Sequence, residues 1–243
     1  MKELIKHIYE TQADMKPLPS LREQEIIRNR LRHRFRKYLP ADKHARMLDI
    51  GAGDGMFIST LKQMGYDNIT GVEISEHRIE RARKLGVTDI VHIDAMEYLA
   101  SHANEFRVIF ALDVIEHFSR QNLIAFVNLV YQALQPGGIF IIHTVNTTLL
   151  SGYRDVDLTH ECGFTPESLT QLLTNAGFID IEILESGFEP VNFKTLIRKC
   201  LWNIVKIPVM LFFIILTGSV QSGIYTLSML GSGKKPVLHK DTM

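Results

Sequence analysis

Three glycines spaced two residues apart follow a short apolar run in this chain of 243 residues. Residues 48–55 read L-D-I-G-A-G-D-G, which places Gly51, Gly53 and Gly55 directly after the apolar run. Glycine adopts positive φ angles without steric cost, and its missing Cβ lets a ligand approach the backbone closely. The spacing therefore predicts a buried strand that ends in a tight turn against a nucleotide-like ligand.

Four acidic residues stand at the ends of four successive apolar runs: Asp49, Glu73, Asp94 and Asp113. In an open parallel sheet, ligands bind beyond the carboxyl ends of the strands, so we expect these carboxylates to share one rim. Glu73 follows Gly53 at the spacing typical of an acid that accepts hydrogen bonds from ribose hydroxyls. The collected negative charge favours a ligand with hydroxyls, an amine and a cationic centre, and disfavours a bare pyrophosphate.

The individual acids have predicted roles and competing structural interpretations. Asp94 is placed to receive the exocyclic amine of an adenine, whereas Asp49 and Asp113 lie where an ammonium or sulfonium would gain from negative charge. Asp94 and Asp113 each precede a predicted helix, so either carboxylate can instead cap that helix. Both interpretations stay open at the level of the sequence.

Alternating apolar runs and helical patterns must position these residues. Strands are predicted at 47–50, 69–74, 90–93, 106–112 and 139–145, and helices between them at 56–64, 76–85, 96–100 and 121–134. A helix opened by Thr165-Pro166-Glu167 follows, then strands at 178–184 and 224–230. Strand and helix in alternation predict a parallel sheet covered on both faces, that is, a doubly wound, Rossmann-like α/β fold with seven strands.

The same patterns divide the chain into four parts. We expect an N-terminal helical cap at 1–45, whose basic helix begins after Ser20 and ends before Pro40. The ligand-binding domain comprises 46–192 and 223–232, an apolar helical insertion occupies 193–222, and a polar tail follows at 233–243. The basic helix is expected to be either a solvated face or a surface for phosphate or anionic lipid.

Composition excludes some classes of partner. Basic and acidic residues number 27 each, so the net charge is zero and no nucleic acid partner is expected. Cys162 and Cys200 are predicted to be free thiols. The first ten residues, M-K-E-L-I-K-H-I-Y-E, lack the features of a secretory signal, so we expect a cytoplasmic protein.

Five motifs between residues 46 and 145 together resemble the class I S-adenosylmethionine-dependent methyltransferases. They are L-D-I-G-A-G-D-G, V-E-I-S, H-I-D-A-M, A-L-D-V-I-E-H-F and the turn L-Q-P-G-G. The resemblance implies the methyltransferase fold and S-adenosyl-L-methionine as cofactor. The positions that match its binding motifs are Asp49, Gly51, Ala52, Gly53, Gly55, Glu73, Ile74, Asp94, Ala95, Met96, Asp113 and Val114.

Two further segments are similar to narrower groups. The stretch I-I-H-T-V-N at 141–146 resembles ubiquinone-biosynthesis O-methyltransferases, and D-L-T-H-E-C-G-F-T-P-E-S-L at 157–169 resembles methyltransferases of bacterial surface-glycan pathways. The resemblance implies O-methylation of a hydroxyl on a glycan or lipid-linked saccharide. A prenylated quinone precursor is the alternative acceptor. A scaffold that binds the cofactor without turnover and a nicotinamide dehydrogenase are the rival classes.

Methylation of a hydroxyl requires a base, and histidine is the usual base near neutral pH. We predict His160 first, since it lies in a loop before a helix, and His117 second. His143 lies inside an apolar run and is expected to be a hydrogen-bonded core residue. No metal site is predicted, because His160 and Cys162 lack companions at ligand spacing.

The apolar segment at 201–217 contains Lys206 as its only charge. By composition it is a borderline membrane span, but a final strand that returns to the same sheet argues against crossing. Lys194, Arg198 and Lys199 beside Trp202 suit the headgroup level of a bilayer. We therefore expect the insertion to lie on a membrane or to cover a lipid-linked acceptor. The alternative is a buried helical hairpin or a dimer interface.

Overall fold

The computed structural model describes residues 17–149, 155–187, 189–220 and 222–237. Residues 1–16 of the predicted N-terminal cap and residues 238–243 of the predicted tail lie outside this part of the chain. The strands are β1 Met47–Ile50, β2 Ile69–Glu73, β3 Ile90–His92, β4 Phe106–Leu112, β5 Leu134–Val145, β6 Ile179–Ser186 and β7 Ser228–Lys234. The helices are α1 Leu21–Phe35, α2 Met56–Gln63, α3 Glu76–Lys84, α4 Ala95–Ala100, α5 Arg120–Ala133, α6 Pro166–Asn175 and α7 Phe193–Thr217.

The strands form one seven-stranded sheet in the order β3-β2-β1-β4-β5-β7-β6. The first five strands are parallel, and β7 pairs antiparallel with both β5 and β6. The strand order reverses between β1 and β4, which opens a crevice at their carboxyl ends. The predicted doubly wound, Rossmann-like sheet of seven strands is confirmed.

Apolar side chains cover both faces of the sheet. Helices α4, α5 and α6 pack on one face, where Phe126 and Val130 are completely buried. On the other face, α1, α2 and α3 pack together, and Phe57 contacts Phe110 with ring centroids 4.7 Å apart. Phe35 of α1 joins the same aromatic group, at 5.0 Å from Phe57. The basic helix α1 is therefore packed into the domain.

The last strand was predicted four residues too early. Asn146 donates hydrogen bonds from its side-chain amide to the carbonyls of Ile224 and Thr226, so residues 224–227 lie outside the ladder. The strand instead extends to Lys234, so it includes Gly233 and Lys234, which were assigned to the polar tail. A Cβ at Gly231 would stand 2.8 Å from Leu169 of α6, so glycine permits close packing of this helix on β7.

The apolar insertion forms one continuous helix, α7. It begins after Asn192, which forms a capping box with Thr195, and ends at Gly218 in a left-handed conformation with φ of 77°. By length and composition alone, this helix could cross a membrane. Most of its apolar side chains are exposed, so the alternative of a buried helical hairpin is wrong.

Candidate active site

The glycine turn after β1 adopts the backbone that the sequence predicted. Gly51, Gly53 and Gly55 have φ angles of 68°, 54° and 74°. A Cβ at Gly51 would stand 2.6 Å from the Val114 side chain, which follows β4. Glycine is therefore required at Gly51 both by conformation and by close packing. Ala52, between the first two glycines, is buried.

Glu73 holds this turn against the end of β2. One carboxylate oxygen accepts a hydrogen bond from the Gly53 amide at 2.8 Å. The other accepts from the amides of Ile74 and Ser75, each at 2.9 Å. Two carboxylate oxygens offer about four lone-pair directions, so one remains to receive a ribose hydroxyl. The predicted ribose acid therefore also organises the loop, a structural role that the sequence did not indicate.

Asp49 is buried beside the glycine turn, with 2% of its surface exposed. Burial raises the pKa of its carboxyl to about 8, and the negative charge of Glu73 acts in the same direction. A carboxyl of this kind carries a proton at neutral pH until a cation approaches. Its position fits the predicted attraction for an ammonium or sulfonium.

The end of β3 leads directly into α4. Asp94 caps this helix by accepting a hydrogen bond from the amide of Met96 at 2.8 Å, so the capping interpretation is confirmed. Ala95 and Met96, in the first turn of α4, are half-buried. Ile74, at the end of β2, is 40% exposed although apolar. Contact of these residues with an adenine stays a prediction.

Asp113 does not cap the helix that follows it. Its backbone has a positive φ of 56°, unusual for a residue with a side chain. His143 Nδ1 lies 2.6 Å from the Asp113 carboxylate, and His143 Nε2 lies 3.0 Å from the Ser186 hydroxyl. Partial desolvation opposes ionisation of Asp113, although its side chain is 64% exposed, but the hydrogen bond and electrostatic interaction with His143, together with Arg34 and His117, lower the pKa of Asp113. The predicted core histidine thus orients the acid after β4.

His117 lies in the short 3₁₀ helix Ile115–His117 that follows β4. Its Nδ1 lies 2.9 Å from the Thr159 hydroxyl and 3.2 Å from the Thr159 carbonyl. The Thr159 hydroxyl donates its only proton to Asp157 at 2.6 Å, so His117 Nδ1 must be the donor toward Thr159. A neutral His117 ring consequently carries its lone pair on Nε2. Burial lowers the pKa of His117, which favours this neutral form.

Glu116, His117 and His160 form a compact group, here called the histidine–glutamate cluster. One ligand atom of each residue lies within 4.8 Å of the others, and the two imidazole rings meet edge to face with centroids 4.8 Å apart. Burial, followed by the charge of Asp113, raises the pKa of Glu116 to about 8. Two imidazoles and a carboxylate are ligands that divalent transition metals prefer, and a cation would stabilise the buried carboxylate.

Long-range contacts assemble this cluster. Thr144 of β5 donates its hydroxyl proton to the Glu116 carboxylate at 2.9 Å. The Glu116 carbonyl accepts hydrogen bonds from the amides of Glu161 and Cys162, which fixes the loop that carries His160. No metal site was predicted, because His160 and Cys162 lack companions at ligand spacing in the sequence; the fold brings Glu116 and His117 from the segment after β4 to His160.

The structure brings together both predicted histidines and adds residues that the sequence analysis missed. Glu116, Thr144 and Thr159 were not predicted to contribute. The E-H pair that begins three residues after Asp113 was the available signal for Glu116, whereas nothing in the sequence marked the two threonines. Both cysteines are free thiols, as predicted, with Cys162 buried and Cys200 exposed.

Comparisons with known proteins agree with this arrangement. A methyltransferase-domain family matches residues 22–183. A ubiquinone biosynthesis O-methyltransferase of Chelativorans sp. is 30% identical over 151 residues, which cover 55% of this chain and 58% of that protein. The chain spans about half the length of the curated relatives it matches.

Solved structures give the same result. An S-adenosylmethionine-dependent methyltransferase from Archaeoglobus fulgidus superposes with a TM-score of 0.63 at 25% identity, covering 87% of this chain and 94% of that one. Phosphoethanolamine N-methyltransferase 2 of Haemonchus contortus, solved with S-adenosyl-L-methionine, has a TM-score of 0.59 at 21% identity and covers 83% and 51%. The second likeness shows the fold alone. With a family match over most of its length, this chain belongs to the class I S-adenosylmethionine-dependent methyltransferases, and S-adenosylmethionine is its cofactor.

Proposed function

We propose that this methyltransferase transfers the methyl group of S-adenosylmethionine to a hydroxyl oxygen. The histidine–glutamate cluster carries the proposal, because it collects proton-accepting groups beside Asp113, the predicted cofactor residue after β4. A hydroxyl acceptor must lose its proton as its oxygen attacks the methyl carbon. A neutral histidine is suited to accept that proton near neutral pH.

The reaction needs alignment and one proton transfer. The acceptor oxygen forms a bond to the methyl carbon while the carbon–sulfur bond breaks, and the electron pair of the breaking bond goes to sulfur. The hydroxyl proton passes to an imidazole nitrogen, for which Nε2 of His117 is the assigned lone-pair atom. Holding the acceptor in line with methyl and sulfur supplies much of the reduction in barrier.

A divalent cation is compatible with the same residues. Glu116, His117 and His160 would hold it, and its Lewis acidity would lower the pKa of an acceptor hydroxyl. In that arrangement the histidines act as ligands. Removal of metal by a chelator distinguishes this arrangement from direct proton transfer to His117.

The acceptor we propose is a hydroxyl on a glycan or lipid-linked saccharide. Support comes from the segment 157–169, which supplies Thr159 and His160 to the site and resembles surface-glycan methyltransferases. The second candidate is a prenylated quinone precursor, favoured by the curated relatives, which are ubiquinone biosynthesis O-methyltransferases. We place the reaction in the cytoplasm, at the inner membrane face, because an exposed free thiol at Cys200 suits a reducing compartment.

Methyl-labelled S-adenosylmethionine tests the proposal directly. The full chain is incubated with a lipid-linked saccharide fraction, with a prenylated dihydroxybenzoate, and with an amine acceptor, each with and without EDTA. We expect label in an alkali-stable ether of the saccharide fraction. Label in the phenol alone would establish the second candidate, label in the amine would contradict O-methylation, and donor binding without label in any arm would favour the scaffold. Loss of activity with EDTA, restored by Mg²⁺, Mn²⁺ or Zn²⁺, would assign the cluster to a metal.

A further inference from the structure

Helix α7 contacts the rest of the chain along one narrow face. Lys206 pairs with Glu185 of β6 at 2.8 Å. Further along, Phe213 is buried and stacks on Tyr225, with ring centroids 5.0 Å apart. Trp202, one helical turn before Lys206, is half-buried. These anchors attach the helix lengthwise to the edge of the sheet.

Most of the remaining surface of α7 is apolar and exposed. Nearly half of its 25 residues are large apolar residues that are at least 42% exposed. In the most apolar 18-residue stretch of the helix, only 6% is buried. The exposed large apolar residues are Phe193, Leu196, Ile197, Leu201, Ile204, Val205, Ile207, Leu211, Phe212, Ile214, Ile215 and Leu216. Contiguous exposed apolar surface on this scale marks an interaction site.

Charge is distributed unevenly along the same helix. Its sequence contains no acidic residue, and Lys194, Arg198 and Lys199 lie exposed in its first two turns. Arg34 of the basic helix α1 contacts Glu189, just before α7, at 2.6 Å, so the two basic regions adjoin. The net charge of the chain is zero, which makes this local excess of positive charge distinctive.

We propose that α7 docks this protein onto an anionic lipid bilayer, lying in the boundary between headgroups and acyl chains. Basic residues at one end and an apolar surface along the rest complement a layer of negative headgroups above hydrocarbon. In a twofold dimer of antiparallel α7 helices, the basic first turns of one helix would lie against the apolar last turns of the other. With no acid on α7, those charges would have no pairing partner on the opposing helix.

The fold favours docking over crossing. The strands that flank α7, β6 and β7, are neighbours in one sheet, so both ends of the helix return to the same side. The uncharged part of the helix, residues 207–217, is about 16 Å long at 1.5 Å per residue, against about 30 Å of hydrocarbon. The anchors at Lys206 and Phe213 keep this part against the domain.

Vesicle flotation tests the proposal without an acceptor, so its outcome is independent of the proposed O-methylation. The full chain is mixed with vesicles of phosphatidylcholine, or of phosphatidylcholine with phosphatidylglycerol. Ile207→Glu is compared with Ile124→Glu on α5, because both isoleucines are 58% exposed and the substitution is the same. Arg198→Gln/Lys199→Gln is compared with Arg83→Gln/Lys84→Gln on α3, another exposed Arg-Lys pair.

We expect the unmodified chain to float with anionic vesicles, and both control variants to float equally well. Ile207→Glu should reduce binding at least about tenfold. Arg198→Gln/Lys199→Gln should reduce it about fivefold for each charge removed, on anionic vesicles only. Binding of S-adenosylmethionine by every variant verifies folding. Absence of flotation, or equal flotation of Ile207→Glu and Ile124→Glu, would overturn the proposal. A dimer that Ile207→Glu converts to a monomer, without flotation, would assign the surface to a second copy.

Discussion

The part of the site that binds the methyl donor, here called the donor side, and the proposed acceptor side are constructed differently. On the donor side, the backbone of the glycine turn forms the surface, and a single side chain, Glu73, holds it through three amides. On the proposed acceptor side, side chains form the surface, and Glu116, His117 and His160 are brought together from two segments. Donor-side substitutions should therefore change cofactor affinity, whereas acceptor-side substitutions should change turnover.

The largest expected effect is on the acceptor side. His117→Ala removes the imidazole whose lone pair is assigned to Nε2, and kcat should fall about 10²–10⁴-fold while the Kd for S-adenosylmethionine stays unchanged. Steady-state kinetics and calorimetry measure the two quantities. His44→Ala, at an exposed histidine elsewhere, is the control. A raised Kd for S-adenosylmethionine with an unchanged kcat would instead assign His117 to the donor side.

The next effect is on the donor side. Glu73→Ala leaves the amides of Gly53, Ile74 and Ser75 without their carboxylate and loosens the turn. The Kd for S-adenosylmethionine should rise about thirtyfold, which corresponds to about 2 kcal/mol for hydrogen bonds to a charged group. Calorimetry measures this change, with Glu80→Ala on the exposed face of α3 as control. An unchanged Kd would show that the loop does not depend on Glu73.

A smaller effect distinguishes two buried carboxyl groups, Asp49 on the donor side and Glu116 on the proposed acceptor side. The pKa values of Asp49 and Glu116 are both raised to about 8, chiefly by burial. A cationic donor favours ionised Asp49, so donor binding should release a proton at pH 7, and affinity should rise by at most about tenfold per pH unit up to pH 8. Above pH 8 the affinity should level off, because Asp49 is already ionised.

Calorimetry in buffers of different ionisation enthalpy counts these protons. Asp49→Asn should abolish the proton release, and Glu116→Gln should preserve it, because Glu116 faces the acceptor side. Release that survives in Asp49→Asn and disappears in Glu116→Gln would mean that the donor cation lies near the histidine–glutamate cluster.

The smallest effect concerns the contact between Ser186 of the edge strand β6 and His143, which in turn contacts Asp113 on the donor side. Ser186→Ala removes the hydroxyl beside His143 Nε2 and leaves this buried nitrogen without that partner. We expect the free energy of unfolding to fall by about 1 kcal/mol, with a Kd for S-adenosylmethionine within a fewfold of the original value. Denaturant titration measures the loss. A large drop in kcat with unchanged stability would instead place His143 in the chemistry.

Local patterns in the sequence were sufficient to predict the backbone of the glycine turn. The glycine turn and the acids at the carboxyl ends of β1 to β4 follow one another within about seventy residues, and positive φ angles at Gly51, Gly53 and Gly55 follow from the residue type. Strand boundaries were accurate where apolar runs were uninterrupted, as in β1 and β4. The start of β7 was misplaced, because side-chain bonds from Asn146 and helix packing on Gly231 decide it.

The sequence by itself thus determined the fold class and the presence of an apolar insertion, since these depend on periodicity. It indicated the cofactor through the resemblance of five motifs to a known family. Tertiary structure alone decided how the acceptor side is assembled. Thr144 reaches Glu116 across 28 residues, and Thr159 reaches His117 across 42, distances over which no sequence period operates. It also decided that α7 is attached along one face and exposed on the others, because composition records that a helix is apolar and burial depends on its neighbours.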